Sequence, residues 1–581
     1  MREVGTSRMR AKGHSAMLLR AALPRAAPGR LARVLATAAD ASSAPPPSSP
    51  APAAVKPIPG SSKLRTIYDY FFGGFDFANN GMGKYLLALR QRHGDIYKVQ
   101  LLQGNPLVIL QEPDLWMEVL RAEWQKPFGG AATLWPLIYY YHLKGIVVDN
   151  PVYIKNAPPM PVPPSGKQSF FALHQGGEQW RKGRFALQPE LFRVQTIEGY
   201  VPILDEIAVD AVRFLEKNPQ PNLNQFTMDL AFEMVAAVLL GKRLMLMADQ
   251  ADENTKKFVF HAQRAIATMG PLTMKAPKHG QKMPEFKLFL EDWEQVSNIG
   301  AILLTESEAK GEGVLARAAK ADTEAHDRLL TNLTGLLAAG VDTTSSVFQS
   351  TIYALARYPH AQRKLREEIL RVCGPPGTPI TGEILRECHY LRAVSREVHR
   401  KHHVVNGNSR ITDFEMTLSP GYVIPKETYV LFIMGMAEDP NYLLSDPELF
   451  LPERWLGRDG TYVKARMSSS EDKEEDGNMP NEGEKIGVVE DYVDLVLADT
   501  KPRRVDVVAP SKKIRHALFE TPFGVGPRQC IGGRLATLEV HSFIAECMRH
   551  FSLGKPSAKT KHKQNLVRTI APDPEIVFTK L

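Results

Sequence analysis

Cys530 lies where residue types and spacing indicate chemistry most clearly, in the run Phe523-Gly-Val-Gly526-Pro-Arg528-Gln-Cys530-Ile-Gly532. The glycines allow the backbone to approach a flat ligand closely. Leu535 and Leu538 begin a helical apolar pattern, so the cysteine precedes a helix N-terminus, where unpaired N–H groups favour a thiolate. One soft thiolate in this setting suits heme iron rather than an iron–sulfur cluster. The alternative is a small buried apolar residue, the usual role of a lone cysteine.

A second group with chemical potential is the run Ala339-Gly340-Val341-Asp342-Thr343-Thr344. It falls inside the longest helix that apolar spacing predicts, from about Ala325 to Arg357. A threonine in mid-helix can bond back to a carbonyl and loosen the helix locally. Such a break leaves room for a diatomic ligand and water. The alternative is an ordinary helix with a polar interruption.

Elements of several kinds must position these groups. Short β-like runs occur between residues 64 and 125, a mainly helical pattern spans 178–400, and short strands return over 404–460. A helical body with one small β region predicts a mainly α (α+β) fold rather than a doubly wound sheet. Segment 466–513 has little apolar content: residues 471–494 hold ten acids and two bases. It is expected to be a polar, solvated and partly disordered insertion.

Composition excludes several classes of protein. The chain has 581 residues, of which 44% are hydrophobic and 23% charged, which excludes overall disorder. Four cysteines cannot form a disulfide framework, and no pair has the CxxC spacing of a structural zinc site. No run of 18 apolar residues predicts a transmembrane helix.

The net charge of +8 is concentrated at the N-terminus. Residues 1–39 hold seven Arg, one Lys and one Glu, whereas residues 40–581 hold 64 bases and 63 acids. Arginines spaced among Ala and Leu predict an organelle import peptide over 1–39; the alternative is a disordered basic tail that binds RNA or an acidic surface. Pro, Ala and Ser predict a linker over 40–63, which leaves a single folded domain over 64–581. A nucleic-acid partner is not expected, because the folded part is near neutral.

The motif F-x-x-G-x-R-x-C-x-G, complete here, resembles the signature of the cytochrome P-450 superfamily of heme-thiolate monooxygenases. The resemblance covers roughly residues 64–465 and 514–575. It implies a helical domain that encloses heme b, with Cys530 as the axial iron ligand and with Phe523 and Gly526 in the cofactor seat. It also implies that Asp342 and Thr343 relay protons to iron-bound dioxygen.

Other motifs follow in the family's order. By resemblance, Glu397 and Arg400 of Glu397-Val-His-Arg400 form a structural group with Arg454 of Pro452-Glu453-Arg454. Family members also place a tryptophan and arginines at the heme propionates, which implies this position for Trp180, Arg184, Arg410 and Arg528. Without the resemblance, each of these charges would be read as a solvated surface residue or bridge.

The motifs around Trp180 and Arg410 are most similar to the mitochondrial branch, which implies a ferredoxin-type electron donor, O2 and a small apolar, sterol- or lipid-like substrate. It implies a location at the inner membrane or matrix side of the mitochondrion. Arg392 and Arg396 stand at the family's ferredoxin-contacting positions; the alternative is a pair of solvated helix charges. Plastid carotenoid-type hydroxylation, or a heme-thiolate isomerase or dehydratase that does not activate O2, remain alternatives, although Thr343 argues against the latter.

The segment after the Glu/Arg helix and the long insertion at 466–513 both depart from the family pattern. The segment Lys401-His402-His403 replaces the family's leucine–aromatic–proline, and the spacing of His399 to both histidines leaves a metal site as an alternative. In residues 258–295, lysines alternate with apolar residues. This segment could make a peripheral membrane contact or could be a mobile basic loop.

Overall fold

The computed structural model divides the chain into two compact units, residues 1–55 and Lys56–Leu581. The described residues all lie in the second unit. They are 56–72, 81–99, 107–125, 135–144, 146–147, 167–168, 177–273, 277–320, 326–405, 407–419, 421–433, 446–463, 480–481, 483–496, 501–509, 522–557, 560–564 and 568–581. The predicted import peptide over 1–39 therefore lies outside the described residues, as does most of the predicted linker.

Helices make up most of the described chain, which confirms the predicted mainly α fold. They are α1 (Lys63–Phe72), α2 (Gly81–His93), α3 (Pro113–Gln125), α4 (Trp135–Leu143), α5 (Gly177–Phe192), α6 (Val194–Glu198), α7 (Val201–Lys217), α8 (Leu223–Leu240), α9 (Glu253–Thr273), α10 (Pro277–Gly280), α11 (Pro284–Lys310), α12 (Gly313–Lys320), α13 (His326–Arg357), α14 (Pro359–Val372), α15 (Gly382–Glu387), α16 (His389–Lys401), a 3-10 turn (Pro452–Trp455) and α17 (Gly533–His550).

The strands are short. They are β1 (Gly60–Ser61), β2 (Ile96–Val99), β3 (Leu107–Leu110), β4 (Ile146–Val147), β5 (Lys167–Gln168), β6 (Gly407–Ile411), β7 (Met416–Thr417), β8 (Val423–Ile424), β9 (Tyr429–Ile433), β10 (Lys485–Tyr492), β11 (Arg503–Val508), β12 (Phe551–Leu553), β13 (Lys561–Gln564), β14 (Arg568–Ala571) and β15 (Phe578–Lys580). Five of them form a mixed sheet in the order β1-β2-β3-β9-β6. This sheet holds β6 beside the cysteine loop.

The core lies where α8, α13 and α17 meet. Most side chains of α8 are buried, and among the described residues it is the one helix long and apolar enough to cross a bilayer. Because 78% of that stretch is buried inside the protein, its apolar character is accounted for by the core. Phe348 of α13 packs edge-on against Phe543 of α17, with ring centroids 5.5 Å apart. The helix that carries Asp342 is thereby held against the helix that follows Cys530.

The structure corrects one expectation and one alternative about loops. Inside the predicted solvated insertion, β10 and β11 form an antiparallel hairpin. Its buried apolar side chains are Val489, Tyr492, Val505 and Val507, with a register irregularity between Val489 and Tyr492. These side chains supply one apolar face, which the surrounding charges obscure in the sequence. Residues 258–295 are also mainly helical, in α9 and α11, rather than a mobile loop.

Candidate functional site

The cysteine loop is shaped by its glycines. Gly524 and Gly526 have φ of +68° and +85°, a region that side chains with a Cβ rarely adopt. The turn is closed by the Cys530 N–H, which donates to the Phe523 carbonyl at 2.8 Å. A Cβ on Gly533 would lie 2.8 Å from Cγ of Phe523, so the start of α17 passes directly against this ring. The loop and helix together fix the direction of the thiol.

The Cys530 thiol is accessible, although protein surrounds it closely. Burial raises its pKa, while the backbone N–H groups of Gly532 and Gly533 and the nearby charge of Arg184 oppose that rise. These N–H groups belong to the first turn of α17, so the sequence-based expectation of helix N–H groups at the sulfur holds locally, but desolvation outweighs them. A coordinated metal ion would deprotonate such a thiol, because the ion's charge replaces the missing solvation.

Three arginines from three elements converge beside this thiol. Arg184 comes from α5, Arg410 from β6 and Arg528 from the cysteine loop, and the side chain of each is at least nine-tenths buried. The Arg528 guanidinium lies 4.4 Å from the ring centroid of Trp180, and that of Arg184 lies 5.9 Å from it. Tryptophan and arginine, one helical turn apart on α5, thus form one wall of the site.

Glu123 of α3 is a site residue that the sequence reasoning missed. Its fully buried carboxylate accepts two hydrogen bonds of 2.8 Å from Nε of Arg410 and lies 3.2 Å from Nε of Arg528. Burial lowers the pKa of Arg528 to about 9. Repulsion by Arg410 and Arg184 adds to the decrease, whereas the negative charge of Glu123 opposes it. The arginines therefore repel one another, and further anions would bind favourably here. Nothing in the local sequence distinguishes Glu123 from a surface acid.

The long helix α13 runs without interruption through the segment in which a polar break was predicted. Thr343 Oγ1 donates to the Ala339 carbonyl at 2.7 Å, which is the back-bond expected of a mid-helix threonine. Asp342 beside it is partly buried, and burial raises the pKa of its carboxyl to about 6. Thr344 hydrogen-bonds to Glu539 of α17, a fully buried acid whose pKa burial raises to about 8. Two acids that titrate near neutral pH thus flank Thr343 and Thr344.

A buried ion-pair network lies below the cysteine loop. The Glu397 carboxylate accepts hydrogen bonds from Nη2 of Arg400 at 2.7 Å and from Nε1 of Trp455 at 2.9 Å. It also forms an ion pair with Arg454, whose Nε lies 3.5 Å away. The two arginines lower the pKa of Glu397 to about 2 despite its burial. The structure therefore brings together the three residues that the sequence grouped. On the same helix, His399 packs edge-on against Phe523, with centroids 5.9 Å apart.

Comparison with known proteins settles the family. The chain matches the Cytochrome P-450 family over residues 137–480 and 509–578, well over half of its length. This protein is a cytochrome P-450. It is accordingly a monooxygenase of the heme-dependent type, and the predicted fold and enzyme class are confirmed.

Similar proteins of this family are named mitochondrial. A probable mitochondrial cytochrome P-450 of Drosophila melanogaster is 26% identical over 85% of this chain and 84% of its own length. The mitochondrial 25-hydroxyvitamin D-1 alpha hydroxylase of Mus musculus is 29% identical, over 66% of this chain and 70% of its own length. The mitochondrial cholesterol side-chain cleavage enzyme of Oncorhynchus mykiss is 26% identical, over 67% and 68%.

The described residues of this cytochrome P-450 fit a heme. A flat group with two carboxylates needs a metal-binding thiol at one face and fixed cations at one edge. Cys530 offers an accessible sulfur, and the mutually repelling arginines offer the cations. The alternative of a histidine metal site is not supported, because no group of three metal-binding side chains occurs in the described part of the chain. Instead, His402 is buried and its ring lies edge-on to Tyr353.

The structure contradicts the predicted partner site at Arg396. This side chain is buried, 4.0 Å from the ring centroid of Trp455, and its Nη1 donates to the Val463 carbonyl at 2.6 Å. Arg392 is only partly buried and stacks on Tyr462 at 4.3 Å. Spacing of four residues does place both arginines on one helix face, but that face packs against the segment after the 3-10 turn. Arg396 cannot present its charge to a partner.

Proposed function

We propose that the enzyme is a heme-thiolate monooxygenase in which Cys530 would ligate the iron of heme b and Arg184, Arg410 and Arg528 would hold the propionates. The observation that carries this proposal is the convergence of three buried guanidinium groups beside the exposed Cys530. Trp180 supports the arginines from one side, and the turn from Phe523 through Gly526 sets the angle of the sulfur.

The heme iron supplies dioxygen binding and activation when it is bound. On α13, Asp342 and Thr343 are proposed to deliver protons to the oxygen. Asp342 suits this role because a carboxyl with a pKa of about 6 both gains and loses a proton near neutral pH. Thr343 Oγ1 can release its 2.7 Å bond to Ala339 and offer its own proton. Glu397, Arg400 and Arg454 support the cysteine side without contacting substrate.

The test of the proposed ligand is the spectrum of the reduced carbon monoxide adduct. The wild-type enzyme is expected to show the red-shifted absorption that a thiolate ligand gives, and Cys530→Ala should abolish it. Cys547→Ala is the matched control, because Cys547 is buried within α17. Retention of the thiolate spectrum in Cys530→Ala, or its absence from the wild type, would overturn the proposal.

We further infer a ferredoxin-type donor, an apolar sterol-like substrate and a mitochondrial location on the matrix side of the inner membrane. The support is the names of the similar proteins, which are mitochondrial and include enzymes acting on vitamin D and cholesterol. Turnover should require a mitochondrial-type ferredoxin and its reductase, with microsomal flavoprotein reductase as the control donor. Titration with sterols and carotenoids, read by the heme spin state, separates the mitochondrial proposal from a plastid carotenoid hydroxylase.

A peripheral membrane contact is proposed at α9 and α11. Phe260 is 55% exposed and Leu288 is 40% exposed, and the exposed Lys287 is adjacent. Exposed apolar side chains beside lysines suit the surface of an anionic bilayer. Flotation with anionic vesicles should be lost in Phe260→Asp/Leu288→Asp and retained in Ile302→Asp, a variant at another exposed apolar residue of α11. Equal flotation of the two variants would contradict this surface.

A further inference from the structure

Two buried cysteines that play no part in the heme site face each other. Cys373 caps the end of α14, and Cys388 connects α15 to α16. Their sulfur atoms are 3.5 Å apart. A disulfide needs a separation of about 2.05 Å, so a relative movement of about 1.5 Å would close the bond. Both residues end helices, where the backbone has more freedom to move than in mid-helix.

The surroundings make the two sulfurs chemically unequal. The pKa of Cys373 lies below its ordinary value, because the Cys388 thiol hydrogen-bonds to it and Arg549 contributes a positive charge. The pKa of Cys388 is raised by the same hydrogen bond and by burial. The guanidinium of Arg549 also donates to the Cys373 carbonyl, which holds this cation close to the pair. Cys373 is therefore the better nucleophile, and Cys388 is the better resolving thiol.

The pair lies directly beneath the surface. Residues 375–379 between the two cysteines are exposed, and so are Arg371 and Glu387 close to the two ends. Gly374 and Gly377 both have positive φ, so this connection is a tight turn rather than a packed strand. A local opening of the turn, without unfolding of the core, would expose both sulfurs to a water-sized reagent.

We propose that Cys373 and Cys388 are a redox-active dithiol that a hydroperoxide converts to a disulfide. The Cys373 thiolate attacks the outer oxygen of the hydroperoxide, the O–O bond breaks, and the alkoxide takes a proton to leave as an alcohol or water. Cys373 is then a sulfenic acid. The Cys388 sulfur attacks the Cys373 sulfur, the S–O bond breaks, and water leaves with the thiol proton. The dithiol loses two electrons and the peroxide gains them.

Closing this bond would tie the end of α14 covalently to the start of α16. The two helices are already joined there, because Glu368 of α14 accepts from the backbone N–H groups of Tyr390 at 2.8 Å and Leu391 at 2.9 Å. The covalent link restricts the unfolded chain over the short connection between the cysteines. The oxidised enzyme is therefore expected to melt at a higher temperature than the reduced enzyme.

The experiment treats the full-length, folded holoenzyme with hydrogen peroxide, blocks free thiols with iodoacetamide and digests with trypsin without reduction. Cleavage after Arg371, Arg386 and Arg392 yields peptides 372–386 and 387–392, each with one cysteine of the pair. We expect a disulfide-linked peptide pair that dithiothreitol removes, together with a rise in Tm that dithiothreitol reverses. In Cys388→Ser, the link should be lost and Cys373 should be trapped by dimedone as the sulfenic acid.

Cys547→Ser is the matched control and should form the link as the wild type does, because burial raises the pKa of Cys547 to about 12 and leaves it unreactive. The proposal is overturned if the folded wild type yields no linked pair. It is equally overturned if the link forms only in denaturant, or if Tm changes to the same extent in Cys388→Ser. If a variant fails to fold, the presence or absence of the linked peptide pair in the folded wild-type enzyme decides whether the proposal stands.

Discussion

The hairpin of β10 and β11 offers the sharpest quantitative prediction, because it lies outside the family match and is held by a buried ion pair. Arg357, at the end of α13, donates from Nε at 2.7 Å and from Nη2 at 2.6 Å to the two oxygens of Asp494. The side chains are 21% and 6% exposed. A second pair, Arg363 with Asp491, joins the same hairpin to α14, but its side chains are 50% and 47% exposed.

The two pairs differ in solvent screening. Asp494→Asn keeps the shape of the side chain but leaves the guanidinium of Arg357 without its counter-charge in a largely dehydrated position. We expect a cost of about 2–3 kcal/mol, between about 0–1 kcal/mol for an exposed pair and about 3–5 kcal/mol for a fully buried one. Asp491→Asn is the matched control, with an expected cost below about 0.5 kcal/mol.

Hydrogen exchange of the hairpin amides is the suitable assay, because it reports local opening rather than unfolding of the whole chain. A loss of 2 kcal/mol should accelerate exchange at Val489 and Val505 about 30-fold in Asp494→Asn, since about 1.4 kcal/mol corresponds to a factor of ten. Core amides of α8 should be unaffected. Equal acceleration in the two variants, or none in either, would refute the reasoning that burial decides the strength of the clamp.

Three further predictions concern buried charge. Glu539 has a pKa of about 8 against an ordinary 4.5, so the folded state binds more protons than the unfolded state between these values. The free energy of unfolding should therefore fall as the pH rises from 4.5 to 8, by up to about 1.4 kcal/mol per pH unit. Urea midpoints of Glu539→Gln should lack this pH dependence, and an unchanged dependence would show that another group is responsible. Glu397→Gln should cost about 3–5 kcal/mol in chemical denaturation, because two buried arginines lose their anion, and a cost below about 1 kcal/mol would contradict this. Arg392→Gln should raise the KM for ferredoxin without changing Tm, whereas Arg396→Gln should lower Tm; the reverse pattern would restore Arg396 as a partner contact.

Local patterns in the sequence were sufficient for the elements that carry the chemistry. The helix predicted from about Ala325 to Arg357 is observed as His326–Arg357, because its apolar spacing and its packing against the core favour the same conformation. The position of Cys530 before a helix is likewise confirmed, with α17 beginning at Gly533. The glycines noted in the motif serve that turn, because Gly524 and Gly526 have positive φ, which is a local backbone requirement.

Burial and charge pairing could not be predicted in this way, because they depend on residues distant in the chain. Glu123 meets Arg410 across 287 positions, and no local signal marks either as buried. Arg396 has the spacing of an exposed basic pair, yet Trp455 and Tyr462 cover it. The sequence by itself therefore determined the family, the thiol and the helices that flank it. Only the tertiary structure decided which charges face solvent. An arginine that is exposed to solvent can contact a partner, whereas an arginine that an aromatic ring covers can only stabilise the fold.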